Sequence, residues 1–165
     1  MISLRNVQPT DLEQLLHIEN EGFSKEEAAT KDAFVERIRL IPDTFIVAEK
    51  DGEILGYING PIINQPYITD DLFEKITENP KSGGFQSVLG LAVSKQARNQ
   101  GIAKILLNKM EQLVEENDRE GITLTCKQDL VPFYEKYGFF NHGLSESQHG
   151  GVRWFNMVKL RENMD

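Results

Sequence analysis

Cysteine is almost missing from this sequence: Cys126 stands alone among 165 residues. A single thiol excludes an internal disulfide and fits a reducing compartment. Histidine is scarce too, at His17, His142 and His149, and none stands at metal-ligand spacing from another or from Cys126. No metal is expected. Long apolar runs are also absent. No stretch approaches the roughly 20 residues that span a bilayer, and the first residues lack a basic-then-apolar leader pattern. A soluble, cytoplasmic protein is the expectation, with no membrane partner. Basic charge is in deficit: 18 Lys and Arg stand against 26 Asp and Glu, a formal charge of -8. Nucleic acid and anionic lipid are poor partners for such a chain, whereas a cationic amine would be drawn to it. The Ser/His/Asp order of a hydrolase elbow is not found.

What is present suffices for one folded unit. At 165 residues with 39% apolar content, the chain reads most simply as one domain over 1–165. Ile2 to Val7 reads as a strand. Thr10, with Glu13 three residues on, reads as a capping box for a helix that runs to about Glu21 and is ended by Gly22. Leu12, Leu15, Leu16, Ile18 and Glu19 set its period. A second helix is predicted over about 31–40, closed by Pro42. Strands at 44–49 and 53–60 flank an Asp51-Gly52 hairpin turn. Residues 70–77 are predicted to form a short helix. Later come a strand over 122–126, a helix over 129–137 stopped by Gly138, and a hairpin of 139–142 with 151–159. The exposed edge of that hairpin keeps a homodimer open. The order points to an α+β or α/β three-layer fold around one mixed, mostly antiparallel sheet flanked by helices.

The most informative stretch is 85–107, FQSVLGLAVSKQARNQGIAKILL. An apolar run from Val88 to Val93 precedes a polar turn. Ile102, Ile105, Leu106, Met110 and Leu113 then recur at helical period. Gly101 falls where the turn becomes the helix, so backbone there can approach a ligand closely. The first N–H groups of a helix lack internal partners and suit a phosphate. Lys95, Arg98 and Lys104 add positive charge. On spacing alone, this is equally a plain strand–helix connection.

Arg98-Asn99-Gln100-Gly101-Ile102-Ala103 resembles the Gln/Arg-x-x-Gly-x-Gly/Ala motif of the GCN5-related N-acetyltransferases (GNAT). The resemblance implies that Arg98 to Lys104 hold the pyrophosphate of acetyl-CoA. It also implies that Leu91, Ala92 and Val93 pair through their backbone with the pantetheine arm, and that an N–H near Leu91 receives the oxyanion. Leu130-Val131-Pro132-Phe133-Tyr134 is similar to the family's second signature. There Tyr134 matches a general acid for the departing thiolate, and Phe133 packs beside the cofactor. A phenol with a pKa of about 10 is protonated at neutral pH and can donate that proton.

The likeness is strongest to the arylalkylamine branch, which includes the serotonin acetyltransferases, and covers roughly residues 21–160. It implies a GNAT-like fold and acetyl transfer from acetyl-CoA to a primary amine of a small molecule in a ternary complex. One departure stands out. The branch's two histidines, which take the amine proton, are matched here by Ser87 and Leu89. Leucine cannot take a proton; a serine hydroxyl is too weak a base but can hold a water. The resemblance implies that Glu21, Glu26 and Glu27 fall where the family's helices border the acceptor site, and each reads as part of a solvated helix face. Two rival readings remain: an acyl-CoA-binding or regulatory domain without catalysis, and an enzyme for protein N-termini or lysines.

Overall fold

The computed structural model describes residues 1–147 and 149–164. Its first half is an antiparallel sheet with helices on one side. Strand β1 (Ser3–Asn6) leads through a 3-10 turn to α1 (Leu12–Gly22) and then α2 (Lys31–Leu40). The predicted Thr10 cap is replaced by its neighbours: Gln8 and Asp11 form the capping box around that 3-10 turn. At α2 the Thr30 hydroxyl accepts from the Ala33 N–H and caps the helix. The hairpin follows as predicted, with β2 (Phe45–Lys50) and β3 (Glu53–Asn59) joined through Asp51 and Gly52, both at positive φ.

The run at 85–93 departs from expectation. It is two strands, β5 (Phe85–Val88) and β6 (Gly90–Val93), parted at Leu89 and committed to different sheets. With β4 (Ile62–Ile63) ahead of β5, the sheets order as β1-β2-β3-β6 and β4-β5-β7-β9-β8. Here β7 is Gly121–Cys126, β8 is Phe140–Leu144 and β9 is Phe155–Leu160. The single mixed sheet predicted from the sequence is therefore a pair of sheets. β6 runs antiparallel to β3, and β5 runs parallel to β7 only as far as Val88 opposite Leu124. Beyond that point Thr125 and Cys126 keep their β9 partners and the strands diverge.

Helix α3 (Ile102–Glu116) carries Ile102, Leu106, Leu107, Met110 and Val114 into a core shared by both sheets. That spacing is one helical stripe. A second core lies across the first sheet, where α1 and α2 bring Leu15, Ile18, Phe34 and Ile38 onto Phe45, Val47 and Tyr57. β2 alternates between the two, with Ile46 and Ala48 on one side and Phe45 and Val47 on the other. Helix α4 (Val131–Lys136) is shorter than the predicted 129–137, its start being a 3-10 turn at Gln128–Leu130. The predicted helix at 70–77 is only a 3-10 turn at Asp70–Phe73. No helix among the described residues is long and apolar enough to cross a membrane.

Where the sheets part, β3 ends against β5. The Leu89 N–H donates to Asn59 O at 2.8 Å and the Ser87 N–H to Pro61 O at 3.1 Å. A Cβ on Gly60 would fall 2.0 Å from Ser87 O, so only glycine fits this crossing. Gly60→Ala is expected to cost about 2–3 kcal/mol of stability through overpacking against backbone. Urea unfolding measures it; a variant as stable as the wild type would show that the crossing yields easily.

Candidate active site

The divergence of β6 from β7 opens a cleft. One wall is Val88, Leu89, Gly90 and Leu91; the other is Leu124, Thr125 and Cys126. β6 is the last strand of its sheet, so its edge toward the gap has no strand partner. Such an edge can pair with an extended amide-bearing chain. Tyr134 and Leu130 close the cleft from α4 and the turn before it, while Glu19 and Phe23 reach it from α1 and its end. Glu27 and Ala29, from the α1–α2 connection, complete the far end with Phe73, His149 and Trp154.

The polar turn leads from this cleft to the start of α3. The Ser94 hydroxyl accepts from the Gln96 N–H at 3.3 Å and begins the turn. Asn99 and Gly101 both take left-handed backbone, at φ 67° and 76°. A Cβ on Gly101 would meet nothing within 4 Å, so conformation and not crowding explains the glycine. Arg98, Asn99, Gln100, Gly101 and Lys104 are exposed, Ala103 is half-buried, and Ile102 anchors the turn in the core. The first N–H groups of α3 have no partner within the helix. Loop, charge and amides thus form one exposed, anion-seeking surface.

The other predicted residues fall as follows. Leu91 lines the cleft, the Ala92 side chain joins the core beneath α1, and Val93 packs against the α3 core. Phe133 sits edge-on to Tyr134 at 5.0 Å and to Tyr137 at 4.9 Å, without lining the cleft. Ser87 is fully buried and donates its hydroxyl to Pro61 O at 2.5 Å. It does not line the cleft, whereas Leu89 does.

Burial sets the titration of the cleft's groups. The Tyr134 phenol is pushed well above its ordinary value, by burial first and by Cys126 second, so it keeps its proton. The Cys126 thiol is pushed up to about 11 by the same burial. The Glu19 carboxyl is also raised, chiefly by burial, against the pull of the Ala29 N–H, the Tyr57 hydroxyl and the Arg37 charge. Among the described residues no cluster of His, Cys, Asp or Glu could hold a metal ion.

Glu19 was not singled out from the sequence. Its signal was there: it lies four residues after Leu15 and one after Ile18, on the apolar face of α1, and is only 4% exposed. A carboxylate on an apolar stripe is the anomaly to seek. Glu27, read as solvated, is buried and paired with Lys127 at 2.5 Å. His149 is held by side chains distant in sequence: it stacks on Phe73 at 4.3 Å, and its Nε2 lies 2.7 Å from Glu27 O.

A cleft between parted strands, followed along the chain by an exposed cationic turn at a helix start, is the arrangement that the motif resemblance implies for an acyl-CoA-dependent acyltransferase. The comparisons agree. The family model for the acetyltransferase (GNAT) domain matches residues 76–161, just over half of the chain. This chain belongs to the GNAT acetyltransferase family, whose acetyl donor is acetyl-CoA. It is 28% identical to the serotonin N-acetyltransferase of Mesocricetus auratus over 82% of this chain, spanning 66% of that enzyme's length. It is 30% identical to an N-alpha-acetyltransferase of Sulfurisphaera tokodaii, over 82% of this chain and 78% of that one. The fold matches the loading GNATL domain of CurA from Lyngbya majuscula with a TM-score of 0.81, at 17% identity and 98% coverage of each chain.

Because Cys126 is 3% exposed and its pKa is about 11, roughly one thiol in a thousand is ionised at pH 8. A disulfide reagent such as DTNB is expected to label the native protein at least about 100-fold more slowly than the urea-unfolded chain. Equal rates would place the thiol in solvent.

Proposed function

We propose that this chain acetylates the primary amine of a small molecule, with acetyl-CoA as donor. The observation that carries the reading is the meeting of Glu19 and Tyr134 at one cleft, from helices packed on different sheets. Glu19 takes a proton from the amine. The amine nitrogen attacks the thioester carbon and the C–S bond breaks, with no covalent enzyme intermediate. Tyr134 gives its proton to the departing thiolate. Glu19 supplies the acceptor that Ser87 and Leu89 lack.

The remaining predicted residues fill supporting roles. Arg98 and Lys104 lie beside the pyrophosphate, with the N–H groups of Asn99, Gln100, Gly101, Ile102 and Ala103 around it. The backbone of Leu91, Ala92 and Val93 follows the pantetheine arm, and the Leu91 N–H faces the oxyanion. Phe133 packs behind Tyr134. Ser87 steadies the strand break through Pro61.

The far end of the cleft supports a small acceptor. The His149–Gly151 turn docks on the α1–α2 connection through the His149–Glu27 contact, and Gly150 packs directly on Glu27. Lys127 ties Glu27 to the end of β7. These links bridge the space that an extended peptide would occupy. The likeness to the N-alpha-acetyltransferase of Sulfurisphaera tokodaii favours a second reading, a peptide α-amine as acceptor.

A thiol-release assay with acetyl-CoA separates these readings. Small primary amines are expected to turn over and peptides with free N-termini to stay inert. Turnover of peptides alone would establish the second reading; CoA binding without turnover on either would leave a binding domain. Tyr134→Phe is expected to lower kcat about 100-fold while CoA affinity stays within about twofold. Arg98→Ala is expected to weaken CoA binding about tenfold, the scale of one charge-assisted contact. Titration calorimetry with CoA reads both affinities, and an unaffected kcat in Tyr134→Phe would remove the phenol from its role.

A further inference from the structure

Glu19 is held by more than its own helix. One carboxylate oxygen accepts the Ala29 N–H at 2.7 Å, and the other accepts the Tyr57 hydroxyl. Tyr57 is fully buried on β3, with Phe34 edge-on at 5.7 Å and Phe45 at 5.9 Å. Its ring is fixed by packing, so its hydroxyl has one direction. Arg37 comes from α2 and is 2% exposed. Its guanidinium lies 5.7 Å from the Phe34 ring centre, and Nη1 donates to Asn59 Oδ1 at 3.3 Å. Its Nη2 has no partner among the described residues, and Arg37 makes no ion pair there. A buried cation with no carboxylate in contact acts at longer range on Glu19.

We propose that Tyr57 and Arg37 are positioning residues for Glu19: the Tyr57 hydroxyl fixes its carboxylate at the cleft by a direct hydrogen bond, and the buried Arg37 guanidinium, without an ion-pair partner of its own among the described residues, supplies positive charge on the same side, so that a buried acid can accept the amine's proton. This rests on the reading of Glu19 as base and deepens it. Burial alone favours the neutral acid, which is useless as a base. The phenol's donated hydrogen bond and the guanidinium's charge both favour the anion, so they offset part of what burial costs it. Tyr57 itself stays protonated, because burial and the adjacent Glu19 raise its own pKa well above the ordinary phenol value.

The other groups around Glu19 do not substitute for this pair. His149 faces it from the His149–Gly151 turn and also favours the anion. Glu27 is paired with Lys127, and Glu36 acts on Arg37. His17 and Glu21, on α1 itself, pair with one another at 3.3 Å. Only Tyr57 gives Glu19 a side-chain hydrogen bond among the described residues.

The test is a carbon-13 NMR titration of the purified chain labelled at its glutamate carboxyls, with the Glu19 signal identified by its loss in Glu19→Gln. In Tyr57→Phe and in Arg37→Gln the Glu19 midpoint is expected to rise by about one pH unit. The low-pH limb of kcat/KM, measured with the amine that turns over best, is expected to rise with it. Tyr57→Phe keeps the ring that Phe34 and Phe45 hold; either variant that melts cooperatively decides the matter. A midpoint that stays put in a folded variant overturns the proposal. So does a midpoint that moves while the pH limb does not. The titration needs no acceptor, so an amine panel in which nothing reacts overturns the functional reading while the midpoint still judges the positioning role.

Discussion

Residues 85–93 are held by two sheets at once, and the rest of the molecule accommodates that fact. β3 claims Gly90 to Val93 in antiparallel register, and β7 claims Phe85 to Val88 in parallel register. Each sheet twists on its own axis, so a run divided between them must break, and it breaks at Leu89. The break leaves β6 with a free edge and turns the end of β7 away from it. The cleft is therefore a consequence of topology and needs no inserted loop. At Gly60, where the Ser87 carbonyl leaves no room for a side chain, the two sheets meet backbone against backbone.

The same parting explains why the two halves contribute unlike groups. α1 packs against β3 and β6, so what it turns inward reaches the cleft from the first sheet. α4 packs against β8 and β9 and reaches it from the second. Between them stands a core that would be apolar throughout if only stability mattered. Glu19, Arg37, Tyr57 and Asn59 interrupt it at 0–4% exposure. Burying an ionised carboxylate and a guanidinium costs several kcal/mol each before their mutual attraction is counted. Departures from consistent patterning concentrate where charge is used, which is why the proposed function places its base in this cluster.

The sequence was legible where a single period or a single turn decides the structure. The α2 boundaries, the Asp51-Gly52 hairpin and the α3 stripe all follow from local pattern. The turn glycine at 101 and the phenol at 134 were found through motif resemblance, and the structure puts them at the helix start and the cleft wall. The division of 85–93 was not legible, because an apolar run reads identically whether one sheet or two will claim it. Tyr57, Arg37 and His149 were missed for a related reason. Their importance comes from contacts across tens of residues, as in the His149 stack on Phe73. Glu19 differs: its place on the apolar face of α1 was visible, and the anomaly was absorbed into the helix pattern.

Burial does two opposite jobs in this cleft. It lifts the Tyr134 phenol, which makes loss of its proton to bulk water harder and keeps it loaded as a donor. It lifts the Glu19 carboxyl as well, which makes its carboxylate a stronger base than an exposed one. One physical cause thus favours the protonated form of both groups, although the proposed function asks one to give a proton and the other to take one. What separates them is the second set of contacts. Among the described residues the Tyr134 phenol gains no cation to stabilise its anion, and the Cys126 thiol adds to the rise. Glu19 gains a hydrogen bond, a backbone N–H and a buried guanidinium. On the proposed reading it is these contacts, and not burial, that distinguish the base from the acid.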